Sequence, residues 1–418
     1  MKNSVPPELC DVDPLQIHAE TALQKIRQSV EPIVQVESVA IRDCLGRVLA
    51  SPVTSAVDVP NHTNSAMDGY AFKGAGGDQV GKPMMRVVGE SLAGAPYRGS
   101  VGGNECVRIM TGAVMPVGTD TVVPQEQTER DGDRVSINAA LRVGENVRYA
   151  GEDMKAGDTV IRAGTRLGSA HIGVAASLGL TELSVFRKPR VAFFSNGDEL
   201  RSIGESLEEG DVYDSNRYTL YSMLKEADAD IIDLGIVRDD PAAIGEALVR
   251  ASDCADMIIT SAGASVGDAD YVRQLLGELG DVSFWKVAIK PGRPLSFGKI
   301  RNRLFFGLPG NPVSVMVTFQ LFVKSALKIL SGESDSFQLK LSVRCMSTLR
   351  KRPGRAEYQR GILSVDENGE TVVHSTGQQG SGILSSMAVA NCYIMLDTDA
   401  QGAEPGDMVF VQPFKEIL

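Results

Sequence analysis

Apolar and polar residues follow several different patterns along the chain. The first is helical spacing of apolar residues at Leu15, Ala19, Leu23, Ile26 and Val30. This spacing predicts an amphipathic helix before Pro32. From about residue 55 to 144, short apolar runs separated by Gly and Pro, such as MMRVVGES, predict an all-β segment. We expect residues 145–185 to return and pair with residues 15–54, which would make the β segment an insertion.

Strands and helices alternate from Arg190 onward. The predicted strands are 191–195, 229–237 and 256–260, and the predicted helices are 215–227, 241–252 and 269–279. This alternation predicts a parallel sheet that helices cover on both faces, with a site where strand C-termini meet helix N-termini. From residue 336, short alternating strands with Gly-rich turns predict a small β-barrel or sandwich.

The predicted fold class is therefore multidomain α/β plus β. The expected domains are a linking region of residues 15–54 and 145–185, an inserted β domain of 55–144, an α/β domain of 186–335 and a C-terminal β-barrel of 336–418. A chain of 418 residues is long enough to form several cores.

Composition narrows the possible functions. The formal net charge of −11 disfavours a general nucleic-acid binder, which needs a basic face to displace counterions from phosphates. No apolar run reaches membrane-spanning length and the first residues lack a signal-peptide pattern, so we expect a cytoplasmic protein with no membrane partner. The six cysteines have no metal-binding spacing, which indicates reduced thiols.

One Gly- and Pro-rich stretch gathers residues suited to binding an anion. Lys286, Lys290 and Arg293 surround a Pro-Gly turn, where the backbone can bend sharply. A second turn, Pro309-Gly310-Asn311-Pro312, precedes a helical pattern and places Asn311 as the N-cap. A glycine turn at a helix N-terminus favours an anion. Taken alone, the stretch is explained equally well as a strand-to-helix connection beside surface cations.

Carboxylates recur in the loops that follow the predicted strands. They are Glu199, Asp239, Asp240 and Asp270. Such a set facing Lys and Arg suggests Mg²⁺ bridging a phosphate, since this ion binds one or two carboxylates together with phosphate oxygens. Any one of them alone is better explained as a helix cap or a surface charge. The loop 261–267, with Ser265 and Gly267, resembles a phosphate cradle but lacks the spacing of a P-loop NTPase or a Rossmann dehydrogenase.

Motifs along the whole chain form a specific combination. They are NSAMDGYA (64–71), RIMTGA (108–113), GENVRYAGED (144–153), GDEL (197–200), IVRDDP (236–241), SVGDADY (265–271), FWKVAIKPGRP (284–294) and GLPGNPVS (307–314). Together they resemble the molybdopterin molybdenumtransferase family, to which the bacterial MoeA proteins and the E domain of gephyrin belong.

The resemblance implies that molybdenum is inserted into molybdopterin. Adenylylated molybdopterin and molybdate would be the substrates, Mg²⁺ the cofactor, and molybdenum cofactor and AMP the products. It also implies an elongated homodimer with its site at the subunit interface, and partners such as a molybdopterin adenylyltransferase and cofactor-accepting enzymes. A non-catalytic carrier or scaffold of the same fold is the alternative, whereas the β insertion and the C-terminal barrel argue against an adenylyltransferase.

The resemblance also assigns roles to individual residues. Catalytic roles fall to Asp68, Asp153, Glu199, Asp239 and Asp270, with Glu199 and Asp270 as metal ligands. Binding roles fall to Thr111, Ser265, Gly267, Lys286, Lys290, Arg293, Pro309, Gly310, Asn311, Ser314, Arg355 and Ser381, with Arg360 as an alternative to Arg355. Asn196, Ala262 and Tyr149 depart from the family pattern, in which Thr, Gly and a basic residue are common.

Overall fold

A six-stranded sheet forms the centre of the α/β domain. A computed structural model of the protein describes residues 16–74, 83–261, 275–284, 286–334 and 338–415. In spatial order the strands are Asp230–Val237, Arg190–Asn196, Met257–Ser261, Arg303–Leu308, Ser296–Ile300 and Gly280–Phe284. The first four are parallel to one another. Phe193 and Phe194 point to opposite faces of the sheet and are buried in two different cores.

Helices cover both faces of this sheet. Ser215–Glu226 and the long helix Pro312–Leu330 pack on the face that contains Phe193, and Pro241–Cys254 packs on the face that contains Phe194. The long helix consists of Pro312–Thr318, a π-helical turn Phe319–Val323, and Lys324–Leu330. It is long and apolar enough to cross a membrane by length and composition alone, but 72% of its apolar stretch is buried inside the protein.

A β-hairpin makes the sheet mixed rather than wholly parallel. Ser296–Ile300 runs antiparallel to Arg303–Leu308, and the two are joined at Arg301 and Asn302, whose φ angles are 45° and 66°. Gly280–Phe284 pairs with the hairpin, also antiparallel. The sequence pattern does not predict Ser296–Ile300 as a strand, because its turn lacks the Asn-Gly or Asp-Gly signature that favours such φ angles.

The N-terminal helix packs on the α/β domain. It spans Ala19–Ser29, and its Ala22 and Ile26 are fully buried in the core that contains Phe193. Just before the helix, Ile17 forms a parallel bridge with Val287. This packing differs from the expected grouping of the helix with the linking region, because the apolar stripe of the helix finds its partners in the α/β core.

Two segments that are distant in sequence form the linking region. The strand pairs are Val36–Ala40 with Glu182–Phe186 and Val53–Thr54 with Thr159–Ile161. The helix Ser169–Ser177 and the 3₁₀ turn Ile41–Asp43 complete the region. Leu49, Leu167 and Leu183 belong to its own core, so these segments bury apolar surface against each other.

The segment between these two folds as a β domain. Its six-stranded sheet has the order Thr121–Pro124, Gly69–Phe72, Glu105–Ile109, Met84–Ser91, Arg134–Ile137 and Thr128–Asp131. The short pair Asn64–Ser65 with Val147–Arg148 and the 3₁₀ turn Gln125–Gln127 flank it. Phe72, Val123 and Val135 pack in its core.

The C-terminal segment forms a closed β-barrel. Its strands pair in the order Ala356–Val365, Thr371–Ser375, Leu341–Cys345, Met408–Pro413 and Cys392–Leu396, and the last pairs back with the first. The pair Leu349–Arg350 with Gly402–Ala403 and the helix Ser385–Val389 lie beside it. Ile289–Lys290 of the α/β domain pairs with the start of the first barrel strand. The predicted fold class, α/β plus β with a C-terminal barrel, is confirmed.

Arg187 connects the linking region to the central sheet. Its guanidinium donates to both carboxylate oxygens of Asp256, at 2.9 and 3.1 Å, and to Gln35 Oε1 at 3.1 Å. Asp256 also accepts the backbone N–H of Arg190, the first residue of a central strand. Burial opposes ionisation of Asp256, but the bonds from Arg187 and Arg190 outweigh it and lower the pKa of the carboxyl.

We expect Asp256→Asn to destabilise the protein by about 2 kcal/mol at neutral pH, because a bidentate, charge-assisted pair is lost. The pKa of the folded state lies below the ordinary 3.8, so this stabilisation is complete at neutral pH and decreases as the pH falls through the folded-state pKa. Urea denaturation of both proteins at neutral and acid pH measures the effect.

The matched control is Asp253→Asn, which breaks an exposed ion pair with Arg301 and should change stability little. A destabilisation by Asp256→Asn that stays constant down to about pH 2 would contradict the assignment of the effect to the ionised carboxylate.

Candidate active site

Two adjoining cavities lie at the edge where the parallel strands end. Their volumes are about 570 Å³ and about 310 Å³, and Pro294, Asn311 and Ser314 line both. The smaller cavity is lined on its other sides by Lys290, Arg293, Arg355, Gln379 and Ser381, among others. The larger cavity is lined by Glu199, Asp214, Asn216 and Ser261, and by apolar side chains that include Leu200 and Val212. One cavity is therefore rich in cations and the other in hydrogen-bond acceptors.

The Pro-Gly turn holds Lys290 at the mouth of the smaller cavity. Gly292 has φ +110°, and a Cβ atom there would lie 2.6 Å from Thr318 Cγ2, so only glycine fits. Lys290 Nζ donates to Glu357 Oε1 at 3.1 Å, while Gln359 Nε2 donates to the other carboxylate oxygen. Glu357 is buried in the barrel, so it holds the ammonium group from the barrel side.

The second turn forms the wall between the two cavities. Asn311 occupies the N-cap position of the long helix as predicted, but its side chain makes no capping bond and lines both cavities instead. Asn216 Nδ2 donates to the carbonyl oxygen of Gly310 at 2.7 Å. From the other side, the N–H of Val313 donates to the carbonyl oxygen of Ser381 at 3.1 Å. The N–H of Val313, at the helix N-terminus that we expected to face an anion, is therefore already bonded within the protein.

The loop that carries Ser381 is built around Arg360. This arginine is 1% exposed, and its guanidinium donates to Ser386 Oγ and to the carbonyl oxygen of Gly380. Burial lowers the pKa of Arg360. Of the two arginines that the sequence left as alternatives, Arg355 lines the cavity and Arg360 lies behind its wall.

Of the predicted carboxylates that the structure describes, Glu199 lines the larger cavity and Asp239 does not. Glu199 lines the cavity, and its carboxylate occupies space that Gly197 leaves open, since a Cβ there would lie 2.6 Å from Oε2. Asp239 accepts a hydrogen bond from Asn196 Nδ2 at 2.9 Å, so the residue that departs from the family pattern holds this carboxylate. Within the described residues, no group of three or more His, Cys, Asp or Glu side chains is arranged to hold a metal.

Asp68 and Thr111 form a separate polar pair in the inserted β domain. Asp68 Oδ1 accepts the backbone N–H of Thr111 at 2.7 Å and its hydroxyl at 2.8 Å. These two bonds, the backbone one first, lower the pKa of Asp68. Neither residue lines the two cavities, and the exposed Asp153 does not line them either.

The remaining predicted residues have varied positions. Pro309 and Gly310 line the larger cavity, whereas Lys286 lines neither and accepts the N–H of Ile17 with its backbone oxygen. Tyr149 is exposed, and its N–H donates to Glu152. Ala262, Ser265, Gly267 and Asp270 lie outside the described residues.

Two polar residues of the larger cavity were not singled out from the sequence, whereas Gln379 belongs to the polar loop 376–382, which the sequence suggests as able to reach a ligand. Asp214 and Asn216 line the larger cavity, and Gln379 lines the smaller one. Asp214 gives a local signal, because it is the N-cap of Ser215–Glu226 and accepts the N–H of Arg217. Asn216 gives none, since its neighbours in the site are distant in sequence.

Family models match nearly the whole chain. The MoeA N-terminal region (domains I and II) matches residues 17–179, a probable molybdopterin-binding domain matches 192–329, and the MoeA C-terminal region (domain IV) matches 342–414. A molybdopterin molybdenumtransferase of Haemophilus influenzae is 37% identical over 401 residues, covering 96% of this chain and 99% of that protein. The chain belongs to the MoeA family.

Other MoeA-family proteins agree with this assignment. A molybdopterin molybdenumtransferase of Nostoc sp. is 35% identical and covers 97% of this chain and 95% of its own. The crystal structure of a MoeA protein from Pyrococcus horikoshii has a TM-score of 0.83 at 28% identity, covering 96% of this chain and all of that chain. The resemblance found in the motifs is therefore confirmed over the full length of the fold.

We expect Gly292→Ala to weaken binding of a tetrahedral oxyanion such as molybdate at least about tenfold, because the strained turn would displace Lys290 and Arg293. Isothermal titration calorimetry with molybdate measures the change. Gly173→Ala is the control, since the space beside this helical glycine is open. Unchanged molybdate affinity in Gly292→Ala would contradict the placement of the oxyanion in the smaller cavity.

Thr111→Val should raise the pKa of Asp68 part of the way toward 3.8, because the hydroxyl bond is lost while the backbone bond remains. The carboxyl ¹³C shift of labelled aspartate, followed over acid pH, reports the titration. If the pKa did not move, the hydroxyl of Thr111 would have no part in holding the carboxylate ionised.

Proposed function

We infer that the protein is a transferase that inserts molybdenum into molybdopterin, the activity for which its relatives from H. influenzae and Nostoc are named. We propose further that the pterin arrives adenylylated, that molybdate supplies the metal, and that AMP leaves with the molybdenum cofactor. The observation that carries this proposal is the pair of adjoining cavities with a common wall. An oxyanion and an organic ligand bound there would be in contact.

Molybdate fits the chemistry of the smaller cavity. The lining offers a lysine and two arginines in about 310 Å³, together with the hydroxyls of Ser314 and Ser381. Arginine forks and hydroxyl donors match the oxygens of a tetrahedral dianion. In a protein of net charge −11, such a local set of cations is what concentrates an anion at one place.

Mg²⁺ fits the larger cavity through Glu199. The ion needs only one or two protein carboxylates when phosphate oxygens and water supply its other ligands. Asp270, outside the described residues, is the other proposed ligand. When bound, Mg²⁺ would neutralise charge on the phosphate oxygens, while Asn196 orients the Asp239 carboxylate through its hydrogen bond.

We place the active form as a homodimer in the cytoplasm. Asp68 and Thr111 line neither cavity of their own chain, so we propose that Asp68 of the partner subunit completes each site. The five described cysteines are all free, as expected for a reducing compartment. A molybdopterin adenylyltransferase and cofactor-accepting enzymes are the proposed protein partners.

We expect Arg355→Gln to raise the molybdate concentration for half-maximal AMP release about tenfold or more, because a charge-assisted contact with the oxyanion is lost. The assay contains purified protein, adenylylated molybdopterin, molybdate and Mg²⁺. Arg344→Gln, the same change on an exposed barrel strand, should leave the molybdate dependence unaltered. Wild-type protein that bound the pterin but released no AMP would favour the carrier function instead.

Mixing two inactive variants tests the shared site. If Asp68 acts across the interface, a heterodimer of one Asp68→Asn subunit and one Glu199→Gln subunit has one intact site. Subunit exchange between the two variants should therefore restore about a quarter of wild-type activity. Each variant alone should stay inactive in the AMP assay. No recovery after subunit exchange, verified by mass spectrometry, would contradict the composite site.

A further inference from the structure

A third cavity adjoins the smaller cavity and is formed mainly by barrel residues. Its volume is about 400 Å³, and it shares Lys290 and Arg355 with the smaller cavity. Its lining residues include five cations and one carboxylate, which are Lys290, Arg350, Lys351, Arg352, Arg355 and Glu357. Among the described residues that line these two cavities, Glu357 carries the one negative charge.

A buried carboxylate is an unfavourable residue in the wall of a site for an anion. Glu357 is only 5% exposed, and an ionised carboxylate loses hydration on burial that its partners must offset. Its charge also repels any oxyanion bound nearby. A glutamine of the same shape would avoid both effects, so the charge of Glu357 calls for a role of its own.

The hydrogen bonds of Glu357 show what it acts on. Its Oε1 accepts from Lys290 Nζ at 3.1 Å, and its Oε2 accepts from Gln359 Nε2 at 3.0 Å. Gln359 Nε2 also donates to the carbonyl oxygen of Arg350 at 3.2 Å, which fixes the amide within the barrel. An ammonium group has three donors, so Lys290 can bind Glu357 and an oxyanion at the same time.

The charge of Glu357 also acts on the other cations of the third cavity. The ammonium of Lys351 donates to three carbonyl oxygens, those of Arg352, Thr398 and Ala400, at 3.2, 2.9 and 3.0 Å. Burial lowers the pKa of Lys351, and the negative charge of Glu357 is the largest effect that opposes this shift. Glu357 therefore offsets part of the positive potential that these cations produce.

We propose that Glu357 is a positioning residue that sets how tightly the site holds a tetrahedral dianion. Through Lys290 it orients one ammonium group, and its negative charge weakens the attraction of the surrounding cations, so that the oxyanion can be given up to the pterin. The inference rests on the proposed function, because it takes molybdate as the occupant of the smaller cavity.

Two tetrahedral oxyanions of similar size and different charge test this role. Molybdate carries two negative charges and perrhenate carries one. In Glu357→Gln we expect molybdate to bind about tenfold more tightly and perrhenate about threefold, because the energy of the lost repulsion is proportional to the charge of the anion. Isothermal titration calorimetry on the full-length protein measures molybdate directly, and perrhenate by its displacement of molybdate.

Three further variants separate the charge of Glu357 from its shape. Glu357→Met removes the same charge with a flexible apolar side chain of similar length, so it should show the same two changes. Glu357→Asp keeps the charge and should tighten neither anion. Glu370→Gln makes the same carboxylate-to-amide change in an exposed pair with Arg344, and it should retain both wild-type affinities. Circular dichroism verifies the fold of each variant.

Three outcomes would overturn the inference. They are unchanged or weaker molybdate binding in the neutral variants, equal tightening of the two anions, and tightening in Glu357→Asp. A merely structural role of Glu357 predicts the first, because a loosened Lys290 would bind both anions less well. Failure of the proposed function looks different, since it would leave the charge-dependent tightening intact while wild-type protein releases no AMP with molybdate.

Discussion

The turn at Pro309–Pro312 is the constraint on which both cavities depend. Asn216 holds it from the helix Ser215–Glu226, and the carbonyl oxygen of Ser381 holds it from the barrel loop through the N–H of Val313. Because these bonds come from two different domains, the turn has its observed position only when the barrel is docked on the α/β sheet. The pairing of Ile289–Lys290 with the first barrel strand secures that docking beside the smaller cavity.

One of the three cations that line the smaller cavity, Lys290, is paired with a buried carboxylate. Glu357 accepts from Lys290 through one carboxylate oxygen and from Gln359 through the other, so both of its oxygens are held in place. Arg360 lies behind the wall and uses its guanidinium on Ser386 and on backbone oxygens. Its charge therefore adds to the positive potential of the cavity while its donors stabilise the loop. An oxyanion would meet groups that are already ordered, so little entropy is lost on binding.

Sequence patterns predicted the parts of this fold that depend on local periodicity. The strands Arg190–Asn196, Asp230–Val237 and Met257–Ser261 lie within one residue of their predicted limits. The first and third are buried parallel strands, which read as continuous apolar runs. The hairpin at Arg301 and Asn302 was missed, since polar residues without glycine give no sign of their positive φ angles. The packing of Ala19–Ser29 was also misplaced, because an apolar stripe does not specify its partner.

Residues of the candidate site could likewise be predicted only where the local sequence marks them. Lys290, Arg293 and Ser314 stand out in sequence because glycine and proline surround them, whereas Asn216 acts on Gly310, 94 residues away. The structure also separates two kinds of group, which no motif shows. Hydrogen-bond acceptors line the larger cavity, and cations line the smaller one. An oxyanion in the larger cavity would meet the carboxylates of Asp214 and Glu199, and repulsion between like charges favours the smaller cavity for it.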